Sequence, residues 1–449
     1  MKERDPRIQN MKGRTAIQVS WLGPAAALLL AAALSPGVPA QSGRIIPKPT
    51  PTPEVEVAPK VEEPKFVPDP NAEKYRLVFT TRFTGSFSYR SEDELILARR
   101  AAFDNFVENL NRAGAEGYRL ITSLKGDPAV VALDRHQFQY AWTETGARVA
   151  FLKPGFAGTY AQLAKKGFRL AAHSLLYAYC QPLDPDRCDY RDFFLFERRK
   201  RVETATEHAF VQSAPGGAWR KGPPHEEILT AAVRAKLTEG FSPAHLLSKF
   251  EILLEREPPD AALAEAGTEV RVVRSSSFWE RDELPKNINE LARQGFRLAL
   301  VDNEIALMYR RAGAAAPLSY VWLKSSQKEF EKELARLQEA GATFRTTYPD
   351  SNGTRKTLVF EQGPAGGARR EYRVLRFELQ TRGNTPENIL EVGFAPASAE
   401  TQRELNRLAA EGFAVLALFD ADKYKFTRPG KGREGLVSEE FGLLLERKR

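Results

Sequence analysis

Gly117-Tyr118-Arg119-Leu120 returns as Gly167-Phe168-Arg169-Leu170 and again as Gly295-Phe296-Arg297-Leu298. Looser copies stand at Gly240-Phe241, from Gly341 to Phe344, and at Gly412-Phe413. Apolar residues at helical spacing precede the glycine: Phe103, Phe106, Leu110 and Ala113 in the first copy, Leu334 and Leu337 in the fifth, and Leu405, Leu408 and Ala409 in the sixth. Glycine there fits the C′ position of a helix, where φ > 0 is required. The aromatic that follows opens a strand and faces the core, and the period of two turns the next Arg to the other face.

Each copy reads outward as a strand, a helix and two further strands. The opening strands are expected at 75–79, 148–152, 208–211, 270–273, 320–323 and 372–375. Apolar strands ending in charge close the later copies, at 193–199, 252–256, 305–311, 358–361 and 441–447; the first copy closes less clearly, at 138–142. The glycines are spaced 46 to 73 residues apart, too irregularly for a solenoid. One β-α-β-β unit leaves a sheet face and two edges unprotected. Pairing units would cover them, so the expected fold is α+β: about six degenerate units paired into three sheet-plus-helices domains, 73–205, 206–314 and 315–449.

Residues 1–40 read as a secretory signal peptide. Lys2, Arg4, Arg7, Lys12 and Arg14 form a basic start, 21–34 is a short apolar core interrupted by Pro24, and Val38-Pro39-Ala40 offers small residues for cleavage. The apolar run falls short of the ~20 residues that span a bilayer. Residues 41–72, with alternating prolines from Pro47 to Pro70, read as a Pro-rich linker. The expected location is therefore periplasmic or extracellular, with no transmembrane segment after cleavage. The formal charge is +8, and +5 once residues 1–40 are set aside, too mild a surplus to argue for nucleic acid.

The pattern resembles a small bacterial domain family of unknown function, marked by a Tyr-x-Val strand, a Leu-Asn-x-Leu-Gly-x-Glu-Gly-Trp-Glu-Leu-Val segment and a final strand ending Leu-x-Arg-Lys. Here the match is Tyr372-Arg373-Val374, then Leu405-Asn406-Arg407-Leu408-Ala409-Ala410-Glu411-Gly412-Phe413, then Leu443-Leu444-Leu445-Glu446-Arg447-Lys448; the fourth copy follows, from Ile288-Asn289-Glu290-Leu291 to Tyr309-Arg310-Arg311. This chain carries Phe or Tyr where the family has Trp. The resemblance implies a fold and no chemistry.

No catalytic constellation stands out. His136, His173, His208, His225 and His245 are scattered, with no pair at ligand spacing on one helix face, so neither metal nor cofactor is expected. The suggestive polar feature is the repeated Arg119, Arg169, Arg297 and Arg345: in register they would line one surface able to hold carboxylates or phosphates. The run Arg198-Arg199-Lys200-Arg201 reads as a solvated strand end. Cys180 and Cys188 bracket a turn-rich segment, and export would make them a disulfide. The resulting expectation is an exported, non-catalytic binding or scaffold module of a bacterial cell envelope, its partner an envelope protein or an anionic polymer. The alternatives are a binder of anionic envelope polymers through the repeated Arg, or a hydrolase on one diverged copy.

Overall fold

The computed structural model describes residues 66–79, 92–124, 128–147, 154–181, 184–200, 205–213, 224–248, 251–256, 268–275, 283–302, 304–311, 313, 316–349, 355–363, 369–383, 389–392, 397–427 and 435–448. The signal-peptide reading of 1–40, and the linker up to residue 65, lie outside them. Residues 64–449 form one compact unit. Among the described residues, no helix is long and apolar enough to cross a membrane.

Six β-α-β-β units follow one another. They are β1 (Tyr75–Val78), α1 (Glu92–Ala115), β2 (Tyr118–Ser123) and β3 (Ala129–Leu133); β4 (Phe138–Ala147), α2 (Pro154–Lys165), β5 (Arg169–Gln181) and β6 (Asp184–Arg199); β7 (Glu207–Gln212), α3 (His225–Thr238), β8 (Ser242–Ser248) and β9 (Glu251–Arg256); β10 (Glu269–Arg274), α4 (Glu283–Arg293), β11 (Arg297–Asp302) and β12 (Ile305–Arg310); β13 (Ser319–Lys324), α5 (Phe330–Glu339), β14 (Thr343–Pro349) and β15 (Arg355–Gln362); and β16 (Arg370–Gly383), β17 (Ile389–Val392), α6 (Ala397–Ala410), β18 (Ala414–Thr427) and β19 (Gly435–Lys448). Each unit forms its own antiparallel sheet with the closing strand in the middle, and β17 adds a fourth strand to the last.

One boundary differs from the sequence reading. Residues 138–142 do not close the first unit; they begin β4, the opening strand of the second, and the strand expected at 148–152 lies outside the described residues. The first unit closes on β3, a short strand with no charged end. That missing charge hid it.

All six motif glycines sit at φ between 69° and 91°. At Gly412 the N–H of Phe413 bonds the Leu408 carbonyl at 3.0 Å and that of Gly412 bonds Ala409 at 3.1 Å, a Schellman ending that needs the left-handed conformation. An arginine from the closing strand then covers the aromatic and reaches the helix end. Arg198, Arg256, Arg310 and Arg447 lie 4.6, 4.6, 4.7 and 4.7 Å from the rings of Phe168, Phe241, Phe296 and Phe413. Each donates to the carbonyl just before the motif glycine: Lys166, Glu239, Gln294 and Glu411, at 2.8, 2.8, 3.1 and 3.2 Å. A guanidinium at a helix C-terminus is favoured by the dipole, and over a ring by the quadrupole. Arg198, expected as a solvated end, is thus a clamp.

The middle strands are apolar without alternation. Phe193, Phe194, Leu195 and Phe196 are all fully buried, as are Leu443, Leu444 and Leu445. Both faces of every sheet are covered. Phe193 and Leu195 pack with α1 of the preceding unit, whereas Phe194 and Phe196 pack with their own α2. Leu253 meets α2 while Ile252 and Leu254 meet α3; Ile305 and Leu307 meet α3 while Ala306 and Met308 meet α4. Val359 meets α4 while Leu358 and Phe360 meet α5; Leu444 meets α5 while Leu443 and Leu445 meet α6. The series closes: α6 packs against Tyr75, Leu124 and Val130 of the first unit. The units form a ring. Each closing strand thus lies between the helix of the preceding unit and its own.

Candidate functional site: a central cavity ringed by bulged strands

In five units the preceding helix also guards the edge of the opening strand, β1, β4, β10, β13 and β16. Asn111, Asn289 and Asn406 each accept the N–H and donate to the C=O of one tyrosine in the next unit: Tyr140 (2.7 and 3.1 Å), Tyr320 (2.6 and 3.1 Å) and Tyr75 (3.1 and 3.2 Å). The Asn of the family-like motif therefore caps a strand edge that would otherwise invite another chain.

The same tyrosines reach inward. Tyr140 Oη takes the N–H of Leu120 at 2.8 Å and donates to Glu197 at 3.1 Å; Tyr320 Oη takes that of Leu298 at 2.7 Å and donates to Glu361 at 3.0 Å. Tyr372 takes the N–H of Phe344 at 3.0 Å, and Tyr75 that of Val415 at 3.3 Å. Where the second unit meets the third, Tyr160 of α2 does the work, bonding Leu170 and donating to Glu255. Burial, then the glutamate charge, push the Tyr140 and Tyr160 hydroxyls well above the ordinary phenol range. These are structural hydroxyls, held neutral.

Just past this contact every second strand carries a bulge. The register shifts between Leu120 and Thr122, Leu170 and Ala172, Pro243 and His245, Leu298 and Leu300, Phe344 and Thr346, and Val415 and Ala417. The residues inside the shift are Ile121, Ala171, Ala244, Ala299, Arg345 and Leu416. A bulge bends a strand and re-aims a side chain. Second strands of neighbouring units lie side by side: the His245 ring bonds the Leu170 carbonyl at 2.8 Å, and Thr122 accepts the Leu418 N–H at 3.3 Å.

Strands β2, β5, β8, β11 and β14 line a half-open cavity of about 700 Å³. Its wall includes Arg119, Arg169 and Arg345, so three of the four expected arginines meet there, from three different units. Arg297 is exposed at the head of β11 and is not among the lining residues, although Ala299 to Asp302 of its strand are. Arg345 occupies the bulge, two positions later than its counterparts, and still reaches the wall.

Glutamates opposite the motif accompany these arginines. Arg119 Nε donates to Glu197 at 2.8 Å, and Arg345 bonds both oxygens of Glu361 at 3.0 and 2.5 Å. Glu197, Glu255 and Asp302 also line the cavity, matching the three arginines in number. Strand alternation points to the arginines and not to their partners. The signal was present in the charge that ends the closing strands of the later units. Among the described residues, no group of three or more His, Cys, Asp or Glu is placed to hold a metal ion. The cysteines fall on facing positions of the β5–β6 hairpin, Cys180 opposite Cys188; their side chains lie outside the described part of the structure.

Comparison of the chain with protein-family models, with curated proteins and with solved structures finds no match.

Proposed function

We propose that this chain is a non-catalytic binding ring, built from degenerate copies of one module and acting as a binding or scaffold component of a bacterial cell envelope. One observation carries the binding role: the second strands of five units bend at the same point and converge on one cavity. Its volume lies within the ~300–1,000 Å³ of small-molecule sites. Glu197 and Glu255 of its wall are engaged at the junctions by Tyr140 and Tyr160. The basic start and short apolar core of 1–40 support export.

The test is a ligand screen by thermal shift on the full chain, using small carboxylates, phosphates, amino acids and short peptides. Wild type is expected to be stabilised by members of one chemical class, and Ala244→Leu, which fills the cavity, to lose that response while keeping its own melting transition. A response of equal size in Ala244→Leu would place binding elsewhere and overturn the reading.

A second reading, a binder of anionic envelope polymers, draws on the three arginines in the wall. An incoming anion has to compete there with Glu197 and Glu361. Retention on an acidic glycan that salt abolishes, and that the combined Ala variants of Arg119, Arg169 and Arg345 lose, would favour it.

A further inference from the structure

The cavity is too evenly charged for a simple anion site. Its lining holds Arg119, Arg169 and Arg345 against Glu197, Glu255 and Asp302. Two of these groups stand out. Arg119 gives its Nε to Glu197 yet its side chain is 51% exposed. Among the described residues, no hydrogen bond or ion pair engages the carboxylate of Asp302, which ends β11 at the wall. The first and fourth units are three steps apart in a ring of six, so these two groups belong to opposite sides. At the bulges between them, Ala171, Ala244 and Ala299 leave the space open. Ile121, on the Arg119 side, is 43% exposed, one of two large apolar side chains so exposed among the described residues.

We propose that the cavity takes a small zwitterion, a short peptide with an apolar side chain. Its carboxylate meets Arg119, its ammonium meets Asp302 and its apolar group lies on Ile121. Arginine presents a planar fork suited to a carboxylate. Each charge of the ligand gains an opposite charge inside a partly dehydrated space, where such pairing counts for more than in bulk water. This inference rests on the reading of the cavity as a ligand site.

Isothermal titration of the full chain tests it with four probes: the dipeptide Ala-Leu, its N-acetylated form, its C-amidated form and glutarate. Ala-Leu is expected to bind, and each capped form at least about tenfold more weakly. Asp302→Asn is expected to weaken Ala-Leu about tenfold and to erase the discrimination against the acetylated form; Ala244→Leu should abolish binding. Thermal melts confirm that both variants fold. Capped forms that bind as well as Ala-Leu, or an Asp302→Asn variant that binds it unchanged, overturn the zwitterion proposal. Glutarate binding without dipeptide binding overturns it too but leaves the cavity reading standing. No heat from any probe counts against both.

Discussion

At the scale of single residues the ring shows correlated exchanges. The N–H three positions past each motif glycine meets a tyrosine hydroxyl at five junctions. At the remaining junction that position is Pro243, which has no N–H to satisfy, and the facing position on β10 is the apolar Val270. The tyrosine and the need for it vanish together. Likewise Ala342 follows the fifth glycine, and Gln362 stands where four other closing strands carry the clamp arginine; in the first unit Arg76 of β1 covers Tyr118 instead. In the third unit His208 occupies the tyrosine position opposite Glu255, and its ring meets Tyr160 edge-on at 4.6 Å. Burial lowers the His208 pKa, and a backbone bond at Thr206 offsets this only in part. A lowered folded value means that the native state resists the proton that the unfolded chain accepts near pH ~6.5. The resulting stability is complete above that value and is lost as pH falls through the folded pKa. Wild type should therefore lose more melting temperature between pH 7.5 and 5 than His208→Phe does. Parallel pH profiles for the two proteins would exclude His208 from the effect.

At the scale of elements, helix ends and apolar strands were legible because they depend on local chemistry. Gly412 marks a left-handed residue, and Leu443-Leu444-Leu445 is too apolar to be anything but buried. What covers both faces of that strand was not legible. A run buried on two sides looks the same whether its second cover comes from a paired sheet or from a neighbour's helix. The bulges left no sequence mark either, since Ile121, Ala171 and Arg345 share no property. The β5–β6 hairpin carries the element-scale prediction. Its register sets Cys180 opposite Cys188. Facing residues of antiparallel strands have Cα atoms roughly 4.5–5.5 Å apart, at the short end of disulfide geometry. In protein from an oxidising compartment, alkylation without reductant should leave both thiols unmodified, and alkylation after reduction should add two adducts. Two adducts without reductant would remove the bridge and weaken the case for export.

At the scale of the whole molecule, the ring answers the difficulty that a lone β-α-β-β unit poses. Radial repetition gives every sheet a helix on each face and five of the six opening edges a neighbour, with no need for capping units of special sequence. The sixth helix serves the first sheet as the first serves the second: Asn406 and Gln402 bond the backbone of β1 as Asn111 bonds that of β4. Closure therefore rests on the same contacts as the internal junctions, and the place where the chain opens should be interchangeable. Equivalent passages elsewhere are short, β3 ending at Leu133 and β4 beginning at Phe138, or β15 ending at Gln362 and β16 beginning at Arg370. A linker of about eight residues from Lys448 to Tyr75 should thus reach without strain, since loop length is entropically cheap. A permutant that starts at Thr268, runs through this linker and ends at Arg256 should melt in one transition within about 10 °C of the parent and keep whatever ligand response the parent has. Removing the sixth unit instead, residues 369–449, strips α6 from Val130 and Tyr75 and exposes the β1 edge, and that chain should aggregate or lose cooperative melting. A truncated chain that melts as sharply as the permutant would mean that the units stand as an open row, and the ring would have to be abandoned.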